Sequence, residues 1–505
     1  MGKKVLIIGN HPIYYDLTKQ FTQRGDIVEY IKDDGGLKAL DISSYNEICL
    51  LSDAEKPSYE SDNEIMGVLE RIATDYEPEQ NNGKRILCHL LLQSQSLLHI
   101  IHLEGFREAI KDKLEVYPFT TDELWSREVA LKLDRSPITI QSNKTVHLVI
   151  FGMSQAAELV AINATHVAHF PNYNRNHTLR TRITIVDERA SEKAMDWIQR
   201  YKPLFDNCHY RFINPQRNPA VTKKVSPQYN EREEFVDVEW EFVTSSPYNR
   251  LLQQKIGQWA VSPSQLLTIV VVNSDEEKCL NDALHLPNEI TENAIPVYVY
   301  MQSNKAFKQI CQSGKTAKIH PFGMVDEGYD INLPLVQMAK AVNYIYSQCR
   351  IMEGHDGIWK MEYAVEIDHD EKERLWSKLP SNKRMSSIYN AMSIGVKMHS
   401  VGLKEEEWEK FYDISQEEIE QLAQVEHNRW SVEELILGWR PCNDSEQLEV
   451  EANITKKEEL KKHKIHYDLR AYSDLRPDAS GKPVEIYDRC LSACIPLIAK
   501  ESKRR

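Results

Sequence analysis

The chain is predicted to be an α/β protein: two doubly wound α/β domains in tandem, then a helical connector and a small, mainly α-helical domain. Three observations predict it. Short apolar runs alternate with helical periodicity through roughly the first 325 residues, the pattern of parallel βαβ units. The same order, opening on a strand that ends in glycine, occurs twice, at Gly9 and at Gly152. From about Leu333 onward the apolar spacing is helical, glycine and proline thin out, and charges rise.

Taken in order, residues 4–9 are a lysine followed by VLIIG, a buried strand closed by glycine. A helix is expected over 14–23, ended by Gly25, then a strand over 27–31 that stops near Asp33-Asp34. Strands follow at 47–51 and 85–92, with a helix over 64–74. The second series starts with a strand over 146–152 and a helix over 155–165. Strands at 183–187, 238–243 and 267–272 come next, then Asn273-Ser274-Asp275 and a helix through Leu284, and a strand over 296–300. The recurrence implies an internal duplication, with domains over 1–130 and 140–330. Helices are expected over 333–348, 371–378, 385–399 and 416–437, giving a connector over 331–414 and a last domain over 415–505. The stretch 443–463, dominated by Glu and Lys, reads as a solvated loop or hairpin arm.

Composition narrows the function. The 505 residues are 41% hydrophobic, enough for packed cores, and the net charge of −14 argues against bulk nucleic acid, which needs clustered Lys and Arg. A small anionic ligand needs only two or three local donors. Apolar runs stay well short of the roughly 18 residues that span a bilayer, so a cytoplasmic location without membrane insertion is expected. The nine cysteines are scattered without a C-x-x-C, which points to reduced thiols and no structural zinc. Neither G-x-S-x-G, H-E-x-x-H nor a phosphate-loop motif is present, so a binding protein is expected rather than an enzyme and no catalytic residue is assigned.

A strand ending in glycine before a helix is where dinucleotides bind, because the backbone must turn tightly and let a pyrophosphate approach. The first copy, Gly9-Asn10-His11-Pro12-Ile13-Tyr14, keeps only the first glycine, and Tyr14 stands where a small residue would let helix meet strand. Its groove is expected to be filled. The second copy, Gly152-Met153-Ser154-Gln155-Ala156-Ala157, keeps small residues at Ser154 and Ala157, and Asp187 closes the next strand where an acid can bind a ribose hydroxyl. Asp187 lies about 35 residues past Gly152, against a usual spacing of about 20, and the Asn- and His-rich stretch 171–178 accounts for the gap. Gly152, Ser154 and Asp187 are therefore the candidate cofactor site. The alternative is a scaffold kept for its packing and its dimer surface.

On Gly9, Gly152, Asp187 and the strand leading to Asn273-Ser274-Asp275, both Rossmann-like units resemble the TrkA N-terminal domain, over about 1–120 and 145–325. That resemblance implies dimerisation and nucleotide sensing, and as an alternative a regulatory role beside a potassium transporter.

The helix over 416–437 raises a separate question. Ser415-Gln416-Glu417-Glu418 has the pattern of a capping box, and Gly438 sits where a helix ends. At about 100° per residue, Glu426, Arg429 and Glu433 share an arc with Leu422, Val425 and Ile436. An internal ion pair is one account, since a buried charge is costly unless paired. Presentation of the Arg429 guanidinium to a ligand is the other. Trp430, Trp439, His427 and Tyr472 beside it make either an aromatic platform or the core of a small domain.

The stretch resembles the RyR domain, the repeat of ryanodine receptors that occurs singly in bacterial proteins. Leu422-Ala423, Glu426-His427, Arg429-Trp430, Gly438-Trp439, His466-Tyr467-Asp468-Leu469, Tyr472, Leu475, Tyr487-Asp488-Arg489 and Ile495-Pro496 carry the resemblance over about 415–500. A charged insertion after Cys442, and Ala471 where members often have proline, depart from it. It implies a module that senses a nucleotide-derived signal, in settings that include antiviral defence. Arg429 and Arg489 would meet phosphates, Trp430, Trp439 and Tyr472 would stack on a base, and His427 and His466 would donate hydrogen bonds. The expectation is a homo-oligomeric sensor of a small nucleotide or NAD-derived ligand. An enzyme acting on NAD at the second Rossmann cleft is the alternative.

Overall fold

The computed structural model describes residues 2–33, 40–78, 83–227, 233–302, 319–353, 359–362, 364–477 and 482–503. Asp34 and Cys311 lie outside them. The protein is a mixed α/β molecule with two Rossmann-like sheets. The first is fully parallel, made of β1 (Lys4–Ile8), β2 (Ile27–Ile31), β3 (Glu47–Leu51), β4 (Ile86–Leu91) and β5 (Leu114–Phe119) in the order β2-β1-β3-β4-β5. Helices α1 (Tyr14–Arg24), α2 (Ser58–Asp75) and α3 (Gln95–Glu104) cover it, while α4 (Thr121–Leu131) packs on the helix over Gln155–Val167 and lends Val129 to the core of the second sheet. β1 and β3 are apolar almost throughout because both faces of a parallel sheet are buried.

The second sheet has eight strands: β6 (Thr145–Phe151), β7 (Thr181–Asp187), β8 (His209–Ile213), β9 (Val221–Val225), β10 (Val238–Thr244), β11 (Gln265–Val271), β12 (Val297–Tyr300) and β13 (Ile319–Phe322). The order is β13-β12-β11-β6-β7-β10-β8-β9, and only β9 is antiparallel to its neighbour. Without β8 and β9 this is the six-strand dinucleotide-binding order, reversing between β6 and β11. Without β10 as well, it matches the first sheet. The two sheets thus share a five-strand order, and the second carries three further strands on one side. Its helices are α5 (Gln155–Val167), α6 (Ala190–Arg200), α7 (Arg250–Ala260) and α8 (Glu276–Leu284).

The added side explains an alternation in the sequence. β7, β8 and β10 read TRITIVD, HYRFI and VEWEFVT, each with two polar residues at alternate positions: Arg182 and Thr184, His209 and Arg211, Glu239 and Glu241. A polar row crosses one sheet face: Gln265 to His147 (2.7 Å), His147 to Thr184 (2.8 Å), Thr184 to Glu241 (2.6 Å) and Arg211 to Glu241 (2.8 Å). Each buried polar group there has its partner on the neighbouring strand.

The remainder is mainly helical: α9 (Pro334–Gln348), α10 (His369–Lys378), α11 (Ser381–Met392), α12 (Ile394–Ser400), α13 (Gln416–Ile436), α14 (Asp444–Ala452), α15 (Lys456–Lys461), α16 (Ile486–Ala493) and α17 (Ile495–Glu501), with an antiparallel strand pair (Arg350–Glu353 and Trp359–Glu362) interrupting the expected helical connector and a short parallel pair (Arg440–Pro441 and Ile465–His466) following α13. The helix expected over 385–399 is broken at Ser393 into α11 and α12. The stretch 443–463 is largely solvent-exposed, as expected, but it is neither a loop nor a hairpin. It forms α14 and α15, with Val450 of α14 buried beside Cys442, Ile465 and Tyr467. One core runs across the expected boundary at 414/415: Ala341, Ile345, Trp376 and Met398 pack with Leu422, Cys490 and Ile498. Val432 and Leu435 on α13 join the core of the second sheet.

Candidate functional site

The second crevice is built from the C-terminal ends of β6, β7 and β11. Gly152 has φ +103°, and a Cβ there would come within 2.1 Å of the Val272 carbonyl oxygen, so only glycine lets β6 and β11 turn out side by side. Ser154 caps α5: its hydroxyl accepts from the Ala157 N–H (3.3 Å) and donates to the Val272 carbonyl (3.3 Å). Asp187 ends β7, and its carboxylate accepts from the Arg189 backbone N–H (2.8 Å) and from Lys193 Nζ (2.7 Å). A cavity of about 190 Å³ opens here, lined by Gly152, Asp187, Arg189, Lys193, Asn273 and Lys278 among others. Gly152 and Asp187 were legible as candidates, and Ser154 anchors the loop beside the cavity. The cations Lys193, Lys278 and Arg189 were not. Their only signal was position, since each follows a strand end on this edge of the sheet.

The first crevice has the same entrance and is closed. Gly9 has φ +125°, and a Cβ there would lie 2.0 Å from the Leu51 carbonyl oxygen. Tyr14 stacks on Tyr30 (ring centroids 4.2 Å apart), and the Tyr30 hydroxyl donates to the Gly9 carbonyl (3.1 Å). Asn10 bonds to Asp53 (3.0 Å). Tyrosines occupy the side where a pyrophosphate would approach.

The C-terminal candidates divide. α13 begins as expected: the Ser415 hydroxyl accepts from the Glu418 N–H (3.2 Å), and the Glu418 carboxylate accepts from the Ser415 N–H (2.8 Å). Gly438 follows the helix at φ +87°. Arg429 is 1% exposed. Its guanidinium donates to both oxygens of Glu426 (2.9 Å each) and to Glu433 (2.6 Å), while Lys397 of α12 donates to Glu426 (2.6 Å). Burial alone would raise the Glu426 pKa, but Arg429 and Lys397 outweigh it and hold the carboxyl well below the usual range. Burial would likewise lower Arg429, and its two glutamates hold it above its ordinary value. The structure therefore gives Arg429 the internal ion-pair role and leaves no face of it for a phosphate. Arg489 is more exposed and forks onto Glu420 (2.6 and 3.0 Å).

The five aromatic candidates come together in a chain of ring contacts. Tyr472 meets His427 edge-on (5.7 Å), and His427 contacts Trp430 (5.6 Å). His466 then lies edge-on to both Trp430 (5.0 Å) and Trp439 (5.8 Å). His427 is sealed: its Nε2–H donates to the Arg470 carbonyl (2.9 Å) and Nδ1 faces Asp488 (3.3 Å). Burial would lower the His427 pKa, but the bond to Asp488 raises it. Trp430, Trp439, His466 and Tyr472 are half-buried. His466 Nδ1 accepts from the Asp468 N–H (3.2 Å), and burial, with Lys461, Lys457 and Lys383 nearby, pushes its pKa down to about 4. The ring is thus neutral at neutral pH with its proton on Nε2. Beside this chain, burial and the neighbouring Glu433 raise the Glu434 carboxyl to about 7.

Among the described residues no group of three or more His, Cys, Asp or Glu side chains is arranged to hold a metal ion, and no helix is long and apolar enough to cross a membrane. No family model matches the chain, and no curated protein matches it. Similar solved structures include a dipicolinate synthase subunit from Bacillus halodurans, at 10% identity over 64% of this chain and 89% of that one, with a TM-score of 0.19. Another is NtrX from Brucella abortus, at 9% identity over 86% of this chain and all of that one, with a TM-score of 0.17. At those TM-scores neither likeness carries a fold or a function to this chain.

Proposed function

We propose that this protein is a cytoplasmic, homo-oligomeric nucleotide sensor, in which two tandem Rossmann-like domains and a helical connector carry a C-terminal RyR-like domain. Its ligand site is the second crevice. The observation that carries the reading is an open cavity where the strand order reverses between β6 and β11, lined by the cations Lys193, Lys278 and Arg189 and by the acids Asp187, Glu188 and Asp282. Ligands of open α/β sheets bind at such a switch point, outside the carboxyl ends of the strands. The lysines and Arg189 supply charge for a phosphate, and Asp187 supplies an acceptor for a ribose hydroxyl. Because Val432 and Leu435 of α13 pack into the core of the same sheet, a change at the crevice has a direct mechanical route to the RyR-like helices.

The test is calorimetric titration of the full chain with NAD, ADP-ribose, ATP and cyclic oligonucleotides. One of these binds, and Lys193→Ala with Lys278→Ala weakens it at least tenfold. If none of them binds, or the double variant binds as the parent does, the crevice is not the site.

A second reading is favoured by the ring contacts from Tyr472 to Trp439. In it the RyR-like domain binds the base, with Lys383 and Lys461 in place of the arginines. Loss of binding in Trp439→Ala but not in the lysine variant selects this reading. Turnover of NAD by the purified protein would make the second crevice an active site instead, and co-purification with a potassium transporter would make the chain its regulatory partner.

A further inference from the structure

The β8–β9 hairpin is an addition to the six-strand order, and it carries cations without acids. Residues 209–225 contain Arg211, Arg217, Lys223 and Lys224 and no acid, in a protein with 76 Asp and Glu against 62 Lys and Arg. Arg211 is spent on Glu241. Arg217 and Lys223 instead line a cavity of about 410 Å³ with Ser191, Met195, Phe212 and Thr244. It lies between the start of α6, the end of β10 and the hairpin, on the same edge of the sheet as the crevice, with the β7–α6 connection between them. The volume falls within the range of small-molecule sites, about 300–1,000 Å³.

Its chemistry is two-sided. Phe212 is buried to 5% exposure, with Lys223 Nζ 5.8 Å from its ring centroid, and Met195 is 52% exposed. That is an apolar strip at the foot of the cavity. Arg217 and Lys223 provide the cationic side, and the Ser191 and Thr244 hydroxyls, 2.6 Å apart, provide a polar corner. Lysines on an edge strand also discourage pairing with another chain. That account covers Lys223 and Lys224, but it covers neither Arg217 in the turn nor the ring and thioether beneath.

We infer that this hairpin cavity is a second ligand site, distinct from the crevice, for an anionic small molecule with a flat ring. The anion meets Arg217 and Lys223, and the ring lies against Phe212 and Met195. The inference stands without the crevice reading, since the two cavities share none of the residues that line them.

The test is photolabelling of the full chain with 8-azido-AMP, with 8-azidoadenosine as the uncharged probe, followed by peptide mapping. The expected result is label within 191–223, at least tenfold less with 8-azidoadenosine, and at least tenfold less in Arg217→Glu with Lys223→Glu. Both side chains are exposed, and an unchanged melting temperature checks the fold. Arg217→Gln with Lys223→Gln falls between parent and charge reversal. Label found only on the crevice loops near 152–158 and 273–282 would refute the hairpin site and leave the crevice standing. Absence of label anywhere, or label unaffected by charge reversal, also overturns it.

Discussion

Arg429 and Lys193 each lie on a helix and each bind an acid a few residues away, yet the two regions differ in kind. Around Arg429 the charges are shut in: Lys397, Glu426, Arg429 and Glu433 are all 2% exposed or less and pair with one another. Around Lys193 they stand at the mouth of a cavity, with Lys278 and Arg189 exposed. The comparison teaches that paired charges hold a fold together when sealed and can bind a ligand when open, although the local pairing looks the same.

The largest test is at the sealed end. Arg429→Met leaves Glu426 and Glu433 buried without their shared counter-charge and is expected to cost about 3–5 kcal/mol in urea unfolding. A loss under about 1 kcal/mol would mean that water reaches the cluster. A pH measurement sharpens the same side. Folding lifts the Glu434 carboxyl to about 7, so the native state holds a proton that the unfolded chain has released. Its contribution to stability is greatest below about pH 4.5 and is lost as pH rises toward 7. The histidine His466, held down at about 4, acts oppositely and costs stability as pH falls from about 6.5 to 4. Glu434→Gln is expected to gain on the order of 2 kcal/mol over the parent at pH 8 relative to pH 5. Parallel pH profiles for the two proteins would refute this.

At the open end, Lys193→Ala with Lys278→Ala is expected to shift stability by less than about 1 kcal/mol, because partly exposed pairs contribute little. The same variant should weaken nucleotide binding at least tenfold. A large stability loss with binding intact would erase the distinction between the regions. The smallest effect on binding is expected for Trp439→Ala, which trims a half-buried ring by about 1–2 kcal/mol and leaves affinity at the crevice within twofold.

Much of the architecture was legible. The strands ending at Gly9 and Gly152, the Ser415–Glu418 capping box and the Gly438 stop depend on neighbours close in sequence, where spacing and propensity act directly. The pieces that escaped were short or charged. β9 reads VTKKV and becomes a strand only because β8 offers it an edge. The helices α14 and α15 carry so many charges that their one buried stripe, toward Val450, is hard to see. The break at Ser393 separates two helices that read as one periodic run.

Sequence by itself determined the element types, their caps and the glycine turns, because those rest on backbone geometry and on contacts within a few residues. Tertiary structure alone decided which charges are sealed. Lys193 and Lys278, about 85 residues apart, meet because β7 and β11 flank β6. Arg429 loses water because α12 and the body of the second sheet close over α13. The strength of a charge pair depends on the dielectric around it, and distant parts of the chain supply that dielectric.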